Sequence, residues 1–489
     1  MRLKLFLFAF LHSSCLFSQS NKPISLHPEN PHYFLFRGMP TILITSAEHY
    51  GAVVNVDFDY IKYLDELRSN GLNYTRIFSG TYIEIPGSFN ISDNTLAPKH
   101  GSYICPWARS TVPGYEDGGN KFDLDKWDET YFERLKNIVS EAGKRGIVVE
   151  ITQFTALYRD EGWTSSPMNR INNINNINTA ARNDAHTLQS GSLLKYQVAL
   201  VRKIVFELHE FDNVFFEIQN EPWAGGNGVE ILSFEKDKET REYDKQLIVR
   251  LADQKSLEWQ KHIMSIIVAE EADNKNKHLI AQNFTNFKHQ LQIQDVHPAV
   301  SILNFHYALA AAAKENYGLN KVIGFDETGF SGNKDETYRR QAWRFIMSGG
   351  GLFNNLDYSF TVRKPEGTAQ QEAPGGGSRT LRMQLKILKD FMESFDFVKM
   401  KPVTNVEPKN ETYQVYELSN PGKAHAFYFE GVEPQESISV ELPKGNYQIE
   451  LISVDDGGIK SLGRKNHKGG MLKFETPDIP DFALRIKNI

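Results

Sequence analysis

From about residue 40 to 395, short apolar runs rich in β-branched and aromatic residues alternate with stretches whose apolar positions recur at i, i+3, i+4 and i+7. The runs are Ile42–Ile44, Tyr74–Phe78, Ile147–Ile151, Val214–Ile218, Leu279–Gln282, Ile302–Phe305, Val322–Phe325 and Leu352–Leu356. Each is nearly continuous in apolar residues, as a parallel strand buried on both faces must be. Phe58–Ser69 and Trp127–Lys144 read as amphipathic helices that cover such a sheet. Eight strands alternating with helices predict an α/β fold, a TIM (β/α)8 barrel, which takes about 250 residues plus loop insertions. A doubly wound open sheet is the alternative. No G-x-G-x-x-G follows any strand, and Gly458–Lys465 approaches a phosphate loop with Arg464 where its Lys should stand.

Three insertions follow strands: residues 79–122 after the second, 154–192 after the third and 360–379 after the eighth. Loops at that end of a barrel build its active-site face. Past residue 398 the pattern becomes short alternating strands, Tyr413–Leu418, Ala424–Phe429, Ser437–Leu442, Tyr447–Ile452, Leu472–Glu475 and Phe482–Ile486, separated by turn residues. This predicts a C-terminal all-β sandwich domain. At the other end, Arg2 and Lys4 precede the apolar run Leu5–Leu11, and Ser13, Ser14 and Ser18 follow. That order reads as a secretory signal. Seven apolar residues fall far short of the roughly 20 that span a bilayer. Cys15 loosely resembles a lipoprotein cleavage site, but His12 does not suit one, so export without a lipid anchor is favoured. The expected organisation is a signal peptide at 1–19, a barrel at 20–397 and a sandwich at 398–489, in a secreted, periplasmic or cell-surface protein.

Composition narrows the function. Lys and Arg total 55 against 61 Asp and Glu, a net charge of −6, which argues against a general nucleic-acid binder. Two cysteines make no disulfide framework. Aromatic residues make up 12%, enough to supply sugar-stacking faces as well as a large core.

The strongest chemical signal is FFEIQNEPW, Phe215–Trp223, where a buried strand ends in Asn220 and Glu221 and Pro222 terminates the ladder. The second is VIGFDETGF, Val322–Phe330, which runs into Asp326 and Glu327. Two carboxylates at the ends of barrel strands, three strands apart, are what glycosidic hydrolysis requires. One must hold its proton while the other is ionised. The 14 histidines form no H-x-H or H-E-x-x-H, which gives a metallohydrolase barrel little support, and no G-x-S-x-G is present, which weakens a serine esterase reading; no cofactor is expected.

On these motifs the chain resembles the clan A retaining glycoside hydrolases, cellulase-like enzymes similar to glycoside hydrolase family 5. The resemblance implies that Glu221 is the acid/base and Glu327 the nucleophile. It implies that Asn220 meets the sugar 2-hydroxyl, that Arg76 in GLNYTRIF steadies the nucleophile, and that His306 and Tyr307 in NFHY stand beside it. Two positions depart from the pattern. His306 and Tyr307 are adjacent and should face opposite sides of a regular strand, so only one should reach the nucleophile unless a bulge re-aims the other. The eighth strand offers Asn354, Asn355, Asp357 and Tyr358 where the group commonly has Trp. His49, in Glu48-His49-Tyr50, is a candidate for the cleft floor. Trp223, Trp163, Trp107 and Tyr358 are candidates for stacking on sugar. Glu217 should lie deeper in the barrel within a charged network, and Asp326 on the face opposite Glu327.

The expectation is a secreted retaining hydrolase of β-linked polysaccharide or oligosaccharide. Its long loops lean towards endo-action. A transglycosylase on the same site and a non-catalytic secreted glycan-binding protein are the alternatives, and oligomeric state is not legible.

Overall fold

The computed structural model describes residues 22–178, 181–233, 247–274, 277–286, 292–370, 375–403, 413–434, 437–475 and 477–489. The expected signal peptide and Cys15 lie outside them. Eight strands make the barrel: β1 (Leu43–Ala47), β2 (Tyr74–Phe78), β3 (Val148–Thr155), β4 (Val214–Asn220), β5 (Ile280–Asn286), β6 (Val300–His306), β7 (Val322–Thr328) and β8 (Leu352–Leu356). Each pairs in parallel with the next around the ring, from β2 through β3, β4, β5, β6, β7 and β8 to β1. Between β1 and β2, Asn73 does the stitching. Its amide nitrogen donates to Ile42 O at 2.8 Å, and its side-chain oxygen accepts from Ile44 N at 3.0 Å. This is a TIM barrel, and the open sheet is excluded.

Helices α1 (Tyr60–Ser69), α2 (Glu129–Lys144), α3 (Leu193–Leu208), α4 (Gln254–Glu270), α5 (Ala310–Asn316), α6 (Asp335–Met347) and α7 (Arg379–Glu393) surround it. In α2, Asp128 caps the first turn by accepting from Thr130 N and Tyr131 N, and Tyr131, Leu135, Ile138 and Ala142 face inward at helical spacing.

The barrel interior is layered. One apolar residue per strand (Leu43, Tyr74, Val148, Phe215, Ala281, Ile302, Val322 and Leu352) forms a lower layer, which Ile24, Phe34 and Phe36 of the N-terminal segment plug from below. Two residues further along, on the same strand face, the layer turns polar with Arg76, Glu150, Glu217, Asn283 and Asn304. The apolar floor and polar middle set the depth at which chemistry begins.

Two hairpins elaborate the mouth. Trp107–Pro113 pairs with Asn120–Trp127 in and just beyond the insertion that follows β2. Gly228–Ser233 pairs with Leu247–Ala252 after β4, an excursion the sequence pattern did not single out.

Strands β9 (Gln414–Asn420), β10 (Ala424–Glu430), β11 (Ser437–Leu442), β12 (Gly445–Ser453), β13 (Ile459–His467), β14 (Gly470–Glu475) and β15 (Phe482–Asn488) form the sandwich. Lys401–Pro402, β9, β10, β15, β12 and β13 make one sheet, and β11 with β14 the other. The stretch that approached a phosphate loop is strand β13. The sandwich leans on α6: Arg340 Nε meets Asp481 at 2.7 Å, Arg344 Nε meets Glu430 at 2.7 Å, and Trp343 stacks on Tyr428 with ring centroids 5.1 Å apart. Among the described residues, no helix is long and apolar enough to cross a membrane.

Candidate active site

Asn220 ends β4, and Glu221 follows in the left-handed region at φ 44°, its amide donating to Asn283 Oδ1 at 2.9 Å. The turn lifts the Glu221 side chain out of the strand's alternation. In β7 the pairing with β6 runs Phe305–Phe325 and then His306–Glu327, so Asp326 is an extra residue in a bulge. Both carboxylates therefore face the interior. Asp326 Oδ2 lies 3.4 Å from Arg76 Nε and 3.4 Å from His306 Nε2. This corrects the expectation that Asp326 faces away; the bulge breaks the period-2 alternation on which it rested.

Four groups surround Glu327. Tyr307 donates its hydroxyl to Oε1 at 2.7 Å and Tyr50 donates to Oε2 at 2.7 Å. Arg76 Nη1 stands 3.4 Å from Oε2, and His306 Nδ1 3.5 Å from Oε1. His306 Nδ1 also meets Glu221 Oε1 at 3.0 Å. His306 and Tyr307 thus both reach Glu327, because Tyr307 leaves the strand at φ 48° and does not continue its alternation. Ligating atoms of Glu221, His306 and Glu327 all fall within 4.8 Å of one another.

Beneath them, the Arg76 guanidinium is wholly buried. Its Nη2 donates to Asn220 Oδ1 at 2.7 Å and pairs with Glu217 Oε2. Asn304 Nδ2 donates to Glu150 Oε1 at 2.8 Å and to Glu217 Oε1 at 3.0 Å, and Thr152 adds a bond to Glu217 at 2.9 Å. Glu217 belongs to the expected charged network. Glu150, Glu217 and Asp326 have the spacing of a metal cluster, but the Arg76 cation occupies the position between them.

The electrostatics separate these acids. Burial would lift the Glu327 carboxyl, but the His306 and Arg76 cations and the two tyrosine hydroxyls outweigh it and hold it below the ordinary carboxylate range. Asp326 is held low by the same two cations against burial. Burial would lower His306, yet Glu327 and Asp326 raise it well above the usual imidazole value, which favours its protonated form. Glu217 is pushed up to about 7 by burial, which Arg76 only partly offsets. Glu150 rises well above a carboxylate's usual value through burial and the charges of Glu217 and Asp326.

The remaining candidates divide. His49 Nε2 pairs with Glu84 Oε1 at 2.9 Å, and its ring lies 5.6 Å from that of Tyr358. Burial would lower His49, but Glu84 and then Glu327 raise it. Trp223 is buried with its ring edge-on to His306 at 5.8 Å. His49 Nδ1, Tyr358 Oη, Trp223 Nε1 and Asn283 Nδ2 are buried with no hydrogen-bond partner among the described residues. Arg76 and His306 are sealed beneath the carboxylates and position them. Trp163, in the short helix Asp160–Ser165, is partly buried against the core, and Trp107 is wholly inside it.

Two participants escaped sequence reasoning. Tyr50 was noticed only as a neighbour of His49, and its φ of 61° is what turns it onto Glu327. Tyr158, whose hydroxyl accepts from Asn220 Nδ2 at 2.6 Å, lies in a loop without any local pattern.

No protein-family profile matches the chain, and no curated protein matches it in sequence. Solved structures do match. A glycoside hydrolase family 5 protein from Bacteroides vulgatus superposes with a TM-score of 0.61 at 11% identity, over 96% of this chain and 94% of that one. A candidate glycoside hydrolase from the same organism gives 0.63 at 12%, over 96% and 83%. A further glycoside hydrolase gives 0.56 at 12%, over 96% and 97%. At such identities the likeness speaks for the fold, and the fold this chain shares is that of solved glycoside hydrolases.

Proposed function

We propose that the protein is an exported glycoside hydrolase that cleaves β-linked glycan by double displacement. The observation that carries this reading is the approach of the Glu221 and Glu327 carboxylate oxygens to within 4.8 Å. Retaining enzymes keep the two carboxyls about 5–5.5 Å apart, whereas inverting ones leave about 6.5–9.5 Å for a water. The β-linkage rests on the cellulase-like resemblance, and export on the N-terminal segment.

Glu327, kept ionised by His306 and Arg76, attacks the anomeric carbon. As the glycosidic C–O bond breaks, Glu221 gives its proton to the departing oxygen. A glycosyl ester on Glu327 results. Glu221, now ionised, takes a proton from water, whose oxygen attacks the same carbon and returns Glu327 as carboxylate. The Asn220 amide and the unpartnered His49, Tyr358 and Trp223 atoms are suited to the hydroxyls of the bound sugar.

Purified protein is screened for release of reducing sugar from β-glucans, mannans, xylans and galactans. Wild type is expected to act on at least one polymer, and Glu327→Ala and Glu221→Ala on none. The first-formed product, read by proton NMR, should keep the β-configuration; an α-product would overturn the double displacement. Full activity in either variant would sink the residue assignment.

A further inference from the structure

We propose that Phe89 and Phe330 form an aromatic bridge across the barrel mouth that binds the apolar face of the sugar at the scissile bond and confines cleavage to glycan chain ends. The proposal rests on the hydrolase reading of the same site.

Phe89 belongs to the loop after β2, and Phe330 lies two residues beyond the end of β7. Their ring centroids are 5.9 Å apart, with an interplanar angle of 80°. In a closed ring of eight strands, the side holding β2 and β3 faces the side holding β6 and β7. A contact between those loops therefore crosses the opening. Each abutment leads to the chemistry. Phe330 packs edge-on against Tyr307 at 5.9 Å, and Tyr307 donates to Glu327. Phe89 packs edge-on against Tyr158 at 6.3 Å, and Tyr158 accepts from Asn220, the neighbour of Glu221. Four rings thus run from the partner of Glu327 to the partner of Asn220, the residue before Glu221.

The two middle rings are exposed, Phe89 by 36% and Phe330 by 47%, while Glu221 and Glu327 beneath are open by only 8% and 5%. Both phenylalanines also sit in the left-handed region, at φ 54° and 57°. For a bulky side chain that conformation is unfavourable, and such strain gathers at ligand contacts. The ring contacts and the Arg159 guanidinium, 6.0 Å from the Phe89 ring, hold the pair in place but leave part of each ring open to a ligand. The apolar C–H face of a pyranose is the complement of such a surface, and the hydroxyls at its edge would meet the buried polar atoms below. An internal stretch of polymer would have to thread beneath the bridge, whereas a chain end inserts directly. Chain-end attack accordingly replaces the endo-action that the loop lengths suggest.

The test compares wild type with a Phe89→Ala/Phe330→Ala variant on soluble xylan, glucomannan and mixed-linkage β-glucan, and on the matching hexaoses, with circular dichroism to establish that the variant is folded. Wild type should release reducing ends with little loss of viscosity. The variant should lose more viscosity per bond cut, and its KM for a hexaose should rise about two- to tenfold, the worth of an aromatic contact. Equal viscosity loss per bond in both proteins would overturn the bridge. Calorimetric titration of Glu327→Gln with the same hexaoses, with and without the two alanines, reads the bridge without turnover. Equal affinities overturn it. Binding without hydrolysis by the wild type would overturn the hydrolase reading and leave the bridge standing, and no binding to any probe overturns both.

Discussion

Glu327 is held at both oxygens by hydroxyls from opposite ends of the barrel sequence, Tyr50 after β1 and Tyr307 after β6. Both donors favour its ionised form. Tyr50→Phe or Tyr307→Phe should therefore raise the carboxyl's pKa and move the acidic limb of the kcat/KM–pH profile to higher pH. Either change also frees the carboxylate to rotate, and a displacement near ~1 Å lowers kcat by up to about 100-fold. An unmoved acidic limb in both variants would refute the arrangement. Arg76→Met goes further, since it leaves several buried acids without their cation, and should cost about 3–5 kcal/mol of stability in urea unfolding. At this scale the sequence was legible wherever a residue obeys its strand. Asn220 and Glu327 were found from their places at strand ends, and Arg76, inside β2, from the resemblance. Glu221 was found from its motif, although a left-handed turn re-aims it. Tyr50 and Tyr307 depend on left-handed turns, and Asp326 on a bulge. Nothing in the local residue pattern announces either device, because both arise from how a strand meets the loop beyond it.

Among the elements, β6 and β7 carry the most constraint. Gly324 lies in β7 where a Cβ would come within 2.5 Å of Asn304 Oδ1. Asn304 in turn bonds Glu150 and Glu217. Gly324→Ala should displace that amide, costing about 1–3 kcal/mol by overpacking, which thermal melting would detect. The layer also has a pH signature. Glu217 is raised in the fold to about 7 from an ordinary 4.5, so its contribution is fully present below 4.5 and is lost as pH rises through about 7. The melting temperature of Glu217→Gln should accordingly fall less than that of wild type across this interval, whatever its starting value. All eight barrel strands were legible, because burial on both faces writes a continuous apolar run. The hairpin after β4 and strand β13 were not. The first is an insertion at a loop whose apolar run Leu247–Ala252 lies outside the strand–helix alternation of the barrel, and the second is an edge strand largely exposed to solvent, which lacks the apolar pattern that a core imposes.

For the molecule as a whole, the seam between barrel and sandwich matters most. Arg339 and Arg340 of α6 converge on Asp481, which is almost fully buried, and Arg344 pairs with Glu430. One apolar core runs through Trp343 and Phe391 into Tyr416, Leu418, Tyr428 and Ala483. A chain ending at residue 397 would expose that surface and strand its arginines, and it should be recovered largely insoluble. The full chain should unfold in one calorimetric transition; two well-separated transitions would contradict this. The seam also bears on how such a protein can change over time. A β domain carried on a free linker can be exchanged between enzymes as a cassette, but this one would have to arrive with matching acids and a ring for Trp343. Barrel and sandwich are therefore bound to diverge together, as a single inherited unit.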